Sequence, residues 1–359
     1  MGKKIKVLYT IPNFDTAGSG HVVYSLATGL DKNIFEVEIC TTSEKGERYE
    51  LVKQSGIKIH IFNYLTPWEL NLRFIRGVLK TRVFFKQCNP DIIHSYHYAS
   101  EFSEALAARA SGAKWVFTKK NMAWGNKAWK IRSFLANRII ATNAVIKKNF
   151  YNNHPKVTVI YSSVNTQAFP FQSQSITTNN FIVVGNIIPI KGSALILEAF
   201  LEYAKTGKGN LYFVGDDSGS YASELKNTLL HHELKERVVF TGKTTKVKKF
   251  MQDAFCLIMA SDKKGEGGPV ALLEAMSSGL LVIGSNVPGI SEQLQNFPEL
   301  QFEANTKQAL IKKMHHVANL TLEQRASKTK ALRSEIEKRF TLEMEINNHQ
   351  EFYKSIGAQ

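Results

Sequence analysis

Unbroken apolar runs recur along this chain, and the segments between them carry apolar residues at helical spacing. The runs at 5–10, 35–40, 57–62, 92–94, 115–118, 138–141 and 157–160 do not alternate with polar residues. Such runs fit strands buried on both faces of a parallel sheet, with the helices that cover it lying between them, as at 22–30 and 102–110. The rhythm then restarts. Runs at 181–185, 211–215, 238–242, 256–260 and 281–285 read as a second sheet, with helices near 193–203, 221–231, 247–253 and 270–278. Between the halves, 165–180 is polar, contains Pro170 and has no charged residue, so it reads as a linker. The pattern predicts an α/β chain of two doubly wound domains with a cleft between their strand C-terminal ends. Their bounds are 1–165 and 181–341, with a linker at 166–180 and a C-terminal helix at 342–359. That last helix carries Phe352 and Tyr353. It either caps the second domain or crosses back to the first.

Composition adds to this picture. A length of 359 residues exceeds one typical core and favours two domains. The net charge of +15 is unevenly spread: residues 1–170 hold 24 Lys/Arg against 11 Asp/Glu, and between Ala105 and Leu197 twelve basic residues meet no acidic one. The first half is therefore expected to face something anionic, such as a membrane surface, an acidic acceptor or nucleic acid; a lineage bias toward lysine is the plainer alternative. No zinc-finger, RNA-recognition or helix-turn-helix signature accompanies the charge, which argues against nucleic acid. Cys40, Cys88 and Cys256 lie far apart without metal-ligand spacing, which suits a reducing cytoplasm and predicts no metal site. The opening residues read as a strand, too short for the apolar region of a signal peptide. No run of 18 apolar residues occurs.

Two basic segments carry exposed-looking apolar residues. Lys119, Lys120, Lys127, Lys130, Arg132 and Arg138 accompany Trp124, Trp129 and Phe134. Upstream, Arg73, Arg76 and Lys80 share one helix face, with Ile75, Val78 and Leu79 on another. Both suit peripheral attachment to the inner face of an anionic membrane; two ordinary amphipathic surface helices fit the same pattern.

The most informative segment runs Ser261-Asp262-Lys263-Lys264-Gly265-Glu266-Gly267-Gly268-Pro269-Val270-Ala271-Leu272-Leu273-Glu274-Ala275-Met276. It follows an apolar strand and opens an apolar helix. Glu266 falls at the strand end, and the amides of Gly267, Gly268 and Val270, with Pro269 between them, fall at the turn and helix start, where anions bind. Glu274 lies two turns into the helix. Carboxylates accept paired hydrogen bonds from vicinal hydroxyls, which suits a sugar and a ribose. A capped amphipathic helix with two solvated glutamates is the plainer alternative.

This segment resembles the E-x7-E motif of the retaining glycosyltransferases of family 4, also called glycosyl transferases group 1, whose usual form reads E-G-F-G-x-x-x-x-E-A-M-A. Four further elements match in order: Val183-Val184-Gly185-Asn186 with Lys191-Gly192 and Leu197-Glu198-Ala199-Phe200; the strand at 211–215; Val238-Val239-Phe240-Thr241-Gly242; and Val287-Pro288-Gly289-Ile290-Ser291-Glu292. The resemblance implies the GT-B fold, with two Rossmann-like domains facing a central cleft. It implies that Glu266 contacts the donor sugar, that Glu274 holds the ribose hydroxyls, that Lys191 neutralises the diphosphate and that Gly242 lies at the donor. The family's arginine at position 186 is replaced by Asn186, which carries no charge.

Matches in the first half are shorter. Thr16-Ala17-Gly18-Ser19-Gly20-His21 is similar to the family's glycine loop near the donor phosphate, implying that Gly18 and Gly20 lie there. Asp91-Ile92-Ile93-His94-Ser95-Tyr96-His97 resembles its D-x-x-H-x-H element; His97 is the candidate for the cleft, and His94 is equally well read as a satisfied buried histidine. Lys120 stands where many relatives carry a donor-contacting histidine, and the resemblance leaves room for it to supply charge to the diphosphate. Glu266, Lys191, His97 and Lys120 are thus the catalytic candidates. The implied function is metal-independent, retaining transfer from a nucleotide-diphosphate sugar, used as co-substrate with no other cofactor. The acceptor would be a glycan or a lipid-linked one, in cell-envelope polysaccharide synthesis. A non-catalytic subunit that binds nucleotide sugar or glycan is the alternative.

Overall fold

The structure is a computed structural model that describes residues 3–15, 17–172 and 179–357. Thr16 and residues 173–178 of the expected linker lie outside the described residues. The chain divides into two units, Met1–Tyr161 with Glu343–Gln359, and Ser162–Leu342.

Among the described residues, the first unit holds seven parallel strands: β1 (Ile5–Ile11), β2 (Phe35–Thr41), β3 (Lys58–Ile61), β4 (Ile92–Ser95), β5 (Lys114–Lys119), β6 (Arg138–Ala141) and β7 (Val157–Val159). Their order is β3-β2-β1-β4-β5-β6-β7. Successive side chains of a strand point to opposite faces. Val7, Tyr9 and Ile11 accordingly join one buried cluster with Val23, Leu26 and Ile39. Leu8 joins the other, with Cys40, Ile93, Trp115 and Phe117.

Among the described residues, the second unit holds six strands: β8 (Phe181–Val184), β9 (Leu211–Val214), β10 (Val238–Phe240), β11 (Cys256–Met259), β12 (Leu281–Ser285) and β13 (Gln301–Phe302). Their order is β10-β9-β8-β11-β12-β13, again all parallel. Five of these strands match expected runs. The sixth, β13, has two residues and is too short to leave a sequence pattern. In the expected linker, the described residues around Phe169 pack on the second unit. The Phe169 carbonyl accepts from Ser277 Oγ at 2.6 Å, and the Gln172 amide donates to the Ser278 carbonyl at 3.2 Å.

The last helix, Leu342–Gly357, joins the first unit. Phe352, Tyr353 and Ile356 are buried with Val7, Tyr9 and Phe35. The Tyr353 hydroxyl lies 3.0 Å from that of Tyr9 and 2.6 Å from His94 Nδ1, while His94 Nε2 lies 2.8 Å from Thr118 Oγ1. The final helix is thereby tied to the ends of β1, β4 and β5. Burial, with His349 and Lys120 nearby, pushes His94 well below the usual histidine range, so the ring is neutral and has one donor and one acceptor to satisfy. Among the described residues, no helix is long and apolar enough to cross a membrane.

Tyr353→Phe removes one hydroxyl on which two buried groups depend. It should lower stability by about 1–3 kcal/mol, read as a lower thermal midpoint. An unchanged midpoint would mean that the hydroxyl does not hold the helix.

Candidate active site

In an open parallel sheet, the crevice for a ligand forms where the strand order reverses, because adjacent loops there leave in opposite directions. In the second unit that point falls between β8 and β11. Lys191 lies in the loop after β8 and Glu266 in the loop after β11. Their side chains meet, with Lys191 Nζ 2.6 Å from Glu266 Oε1. Ser261, fully buried at the end of β11, donates its hydroxyl to the same oxygen at 2.7 Å.

Backbone hydrogen bonds hold the loops that carry this pair. The Asp262 amide donates to the Ile190 carbonyl at 3.0 Å, joining the β11 loop to the β8 loop. The Glu266 amide donates to the Pro288 carbonyl at 3.0 Å, joining it to the loop after β12. Ser285 Oγ donates to the Ser261 carbonyl at 2.8 Å. Two glycines permit the close approach. Gly192 has φ +68, and a Cβ there would overlap the carbonyl oxygen of Ala260; at Gly289, φ +82, a Cβ would overlap that of Glu266. Both conformations favour glycine on backbone grounds as well.

The chain then turns through Gly267, Gly268 and Pro269 into the helix Val270–Ser278. Pro269 occupies the cap position, with no side-chain cap and no acidic residue in the first turn. The amides at this end therefore present partial positive charge. Leu272, Leu273, Ala275 and Met276 are buried and fix the helix. Glu274, half-buried, projects from its second turn. Asn186 is exposed just after β8, and Gly242 follows β10 at φ +70.

The structure thus brings Lys191 and Glu266 into contact and keeps Gly267, Gly268, Pro269, Val270 and Glu274 on the loop and helix that continue from Glu266. Ser261 and Ser285 were absent from the sequence-derived candidates. Their signal was available: each is a hydroxyl closing an apolar strand, where a side chain faces the loops rather than the core.

In the first unit, Gly18 and Gly20 fall inside the first helix, Ala17–Gly29, rather than in a free loop. A Cβ at Gly20 would press on Phe14, whereas Gly18 faces open space. Lys120 is half-exposed just past β5, its Nζ 5.2 Å from the centre of the Tyr96 ring.

His97 is corrected. It is buried, its Nε2 2.9 Å from Glu104 Oε2, and its Nδ1 accepts from the Ala99 amide. Burial and the neighbouring Arg132 guanidinium push it below the usual histidine range. With Glu101, Glu104 and Arg132 it forms a buried polar cluster. The basic segment 119–138 is mixed: Lys127 and Lys130 are exposed and Phe134 is 82% exposed. Lys119 and Arg132 are buried. Lys119 donates to the carbonyls of Asn121 and Ala123, both at 2.6 Å, and burial lowers its ammonium to about 8. Arg132 lies 4.2 Å over the Trp129 ring, and Trp124 packs against Phe150 and Tyr151. These tryptophans spend their faces on internal packing.

Among the described residues, Glu38, His60 and Cys88 form a group of ligand-type side chains in the first unit. Lys6 and Lys58 bond to the same Glu38 oxygen there, at 2.8 and 3.1 Å, so a metal cation would face two ammonium groups.

Two family models match the chain. "Glycosyl transferases group 1" matches residues 165–335 and "Glycosyltransferase Family 4" matches 16–168. The capsular polysaccharide biosynthesis glycosyltransferase CapH of Staphylococcus aureus is 23% identical over 340 residues, covering 88% of this chain and 93% of its own. A glycosyltransferase from Rickettsia africae superposes with a TM-score of 0.85 at 19% identity, covering 99% of each chain. Anabaena Alr3699/HepE, solved with UDP and glucose, has a TM-score of 0.83 at 15% identity, covering 98% of this chain and all of its own. The fold is that of GT-B glycosyltransferases.

Gly192→Ala should cost stability by about 1–3 kcal/mol, because alanine resists positive φ and its methyl meets the Ala260 carbonyl. The test is thermal unfolding. An unchanged midpoint would show that the Lys191 loop does not need its tight turn.

Proposed function

The chain belongs to the family 4, group 1 glycosyltransferases, and from that premise we propose that it moves a sugar, with retention of configuration, from a nucleotide-diphosphate sugar to a glycan or lipid-linked acceptor. The observation that carries this reading is the Lys191–Glu266 pair at the point where the second sheet reverses order. A ligand separates that pair at least cost when it offers an anion to the ammonium and hydroxyls to the carboxylate. A nucleotide-diphosphate sugar offers both in one molecule.

In this reading the diphosphate takes Lys191 and the amides at Gly267, Gly268 and Val270. Glu274 accepts from the ribose hydroxyls, and Glu266, steadied by Ser261, accepts from the sugar. Asn186 can donate a hydrogen bond to phosphate but supplies no charge. The sugar–phosphate bond breaks, and the acceptor oxygen bonds to the anomeric carbon on the same face. The leaving phosphate oxygen takes the acceptor proton. The protein's contribution is to orient both substrates and to stabilise charge gathering on the leaving diphosphate. No metal ion and no further cofactor enters this scheme. CapH acts in capsule synthesis by its name, which favours an acceptor of envelope polysaccharide type. HepE was solved with UDP, which makes UDP-sugars the first donors to try.

The experiment is a screen of nucleotide sugars for release of nucleoside diphosphate, with the anomeric configuration of any product read by NMR. Inverted product would overturn retention. A donor that binds but is neither hydrolysed nor transferred would favour the non-catalytic subunit. Glu274→Ala should weaken donor binding by roughly ten- to a hundredfold, the worth of one charged hydrogen bond at about 1.5–3 kcal/mol. Lys191→Ala should weaken nucleoside diphosphate far more than nucleoside. Calorimetric titration checks both; unchanged constants would remove these residues from the donor site.

A further inference from the structure

The helix Leu72–Cys88 has two apolar faces. Its inner face buries Phe74, Phe85 and Cys88 with Thr81. On the outer face Leu72 is 67% exposed, and Ile75, Leu79 and Val83 are about half exposed. Steps of three, four and four residues set these side chains in a single row along the helix. A surface helix normally has one apolar stripe, turned to the core; the second stripe here meets water.

Charge frames the row. The helix contains no Asp or Glu. At 100° per residue, Arg73, Arg76 and Lys80 run along one side of the row, and Arg82 and Lys86 along the other. Just upstream, Trp68 and Leu70 are also exposed. Trp68 is held in place by its ring contacts with Phe74 and Phe102, at 4.8 and 5.2 Å.

The geometry points to one occupant: we propose that this helix docks the protein on an anionic lipid surface, lying in its plane. A second copy of the chain is a poor match, because a two-fold pairing would set five cations against five. The element is a convex ridge, which suits a deformable surface. Aliphatic side chains enter below the headgroups while the flanking cations stay among the phosphates. Of the two segments expected to meet a membrane, the proposal selects the helix at 72–88, whose exposed apolar side chains form a row, over 119–138, where Trp124 and Trp129 are half-buried and Phe134 is the one large apolar side chain more than half exposed. It goes beyond the transfer reaction and needs neither donor nor acceptor.

The test is co-sedimentation of the full chain with vesicles of phosphatidylglycerol and phosphatidylcholine, against phosphatidylcholine alone. The wild type should bind the anionic vesicles and largely ignore the neutral ones. Added salt should weaken the binding without abolishing it, because ions screen charge and leave the apolar part. Ile75→Glu with Leu79→Glu should lose the binding. Arg73→Gln, Arg76→Gln and Lys80→Gln together should weaken it roughly a hundredfold, at about fivefold per cation. All five positions are exposed, so these variants should keep the wild-type thermal midpoint and donor affinity, which separates this test from that of the transfer reaction. Binding to neither vesicle, or equal binding to both, would overturn the proposal. So would undiminished binding by the Ile75/Leu79 variant, which would place the contact elsewhere. Binding that salt abolishes and that the Ile75/Leu79 variant retains would mark a site for a soluble acidic polymer instead.

Discussion

The ion pair between Lys191 and Glu266 is the constraint around which the second unit's active end is arranged. The two residues stand 75 positions apart in the chain. They meet because β8 and β11 are neighbours where the sheet order reverses. Both side chains are largely shielded from water, at 29% and 17% exposure. Removing either partner would leave a charge short of its counter-ion. Ser261 adds a hydrogen bond to the carboxylate, Ser285 fixes the carbonyl of Ser261, and Gly192 and Gly289 let three loops approach closely enough for all of this. Free phosphate satisfies only the lysine, and a free sugar only the glutamate. The pair thus favours a ligand that carries both groups at once.

Much of this was legible in the sequence because it rests on short-range pattern. Unbroken apolar runs marked the strands, and the spacing of Glu266 and Glu274 across a glycine turn marked the candidate site. What failed was the inference from residue type to exposure. His97 follows a strand and looked like a residue of the ligand side, yet Glu104 and Arg132, distant from it in the pattern, close over it. Trp124 and Trp129 looked like surface anchors because they are flanked by cations. The cations Lys119 and Arg132 are instead buried beneath the half-buried rings, their charge met by carbonyls and ring faces. In the helix Leu72–Cys88 the sequence shows apolar residues nearly all round, and nothing local says which stripe the core takes. Phe74 and Phe85 fill that role, which leaves Leu72, Ile75, Leu79 and Val83 outside.

The two units differ in charge. The second carries 21 Lys/Arg against 17 Asp/Glu and holds the paired acidic and basic groups suited to a polar ligand. The first carries most of the excess positive charge, and its core is completed by the chain's last helix through Tyr353, Tyr9 and His94. That completion draws on residues from both ends of the sequence, so the first unit's core includes the last segment of the chain.

The most direct test of the central claim is the affinity of a nucleoside diphosphate, without sugar, for the Glu266→Gln variant. If Lys191 is the phosphate cation and Glu266 its resident counter-ion, removing the carboxylate charge frees the ammonium and lifts a repulsion. The variant should then bind nucleoside diphosphate more tightly than the wild type while losing transfer. Binding that weakens along with transfer would contradict the account, because it would mean that Glu266 supports the diphosphate itself rather than competing with it for Lys191.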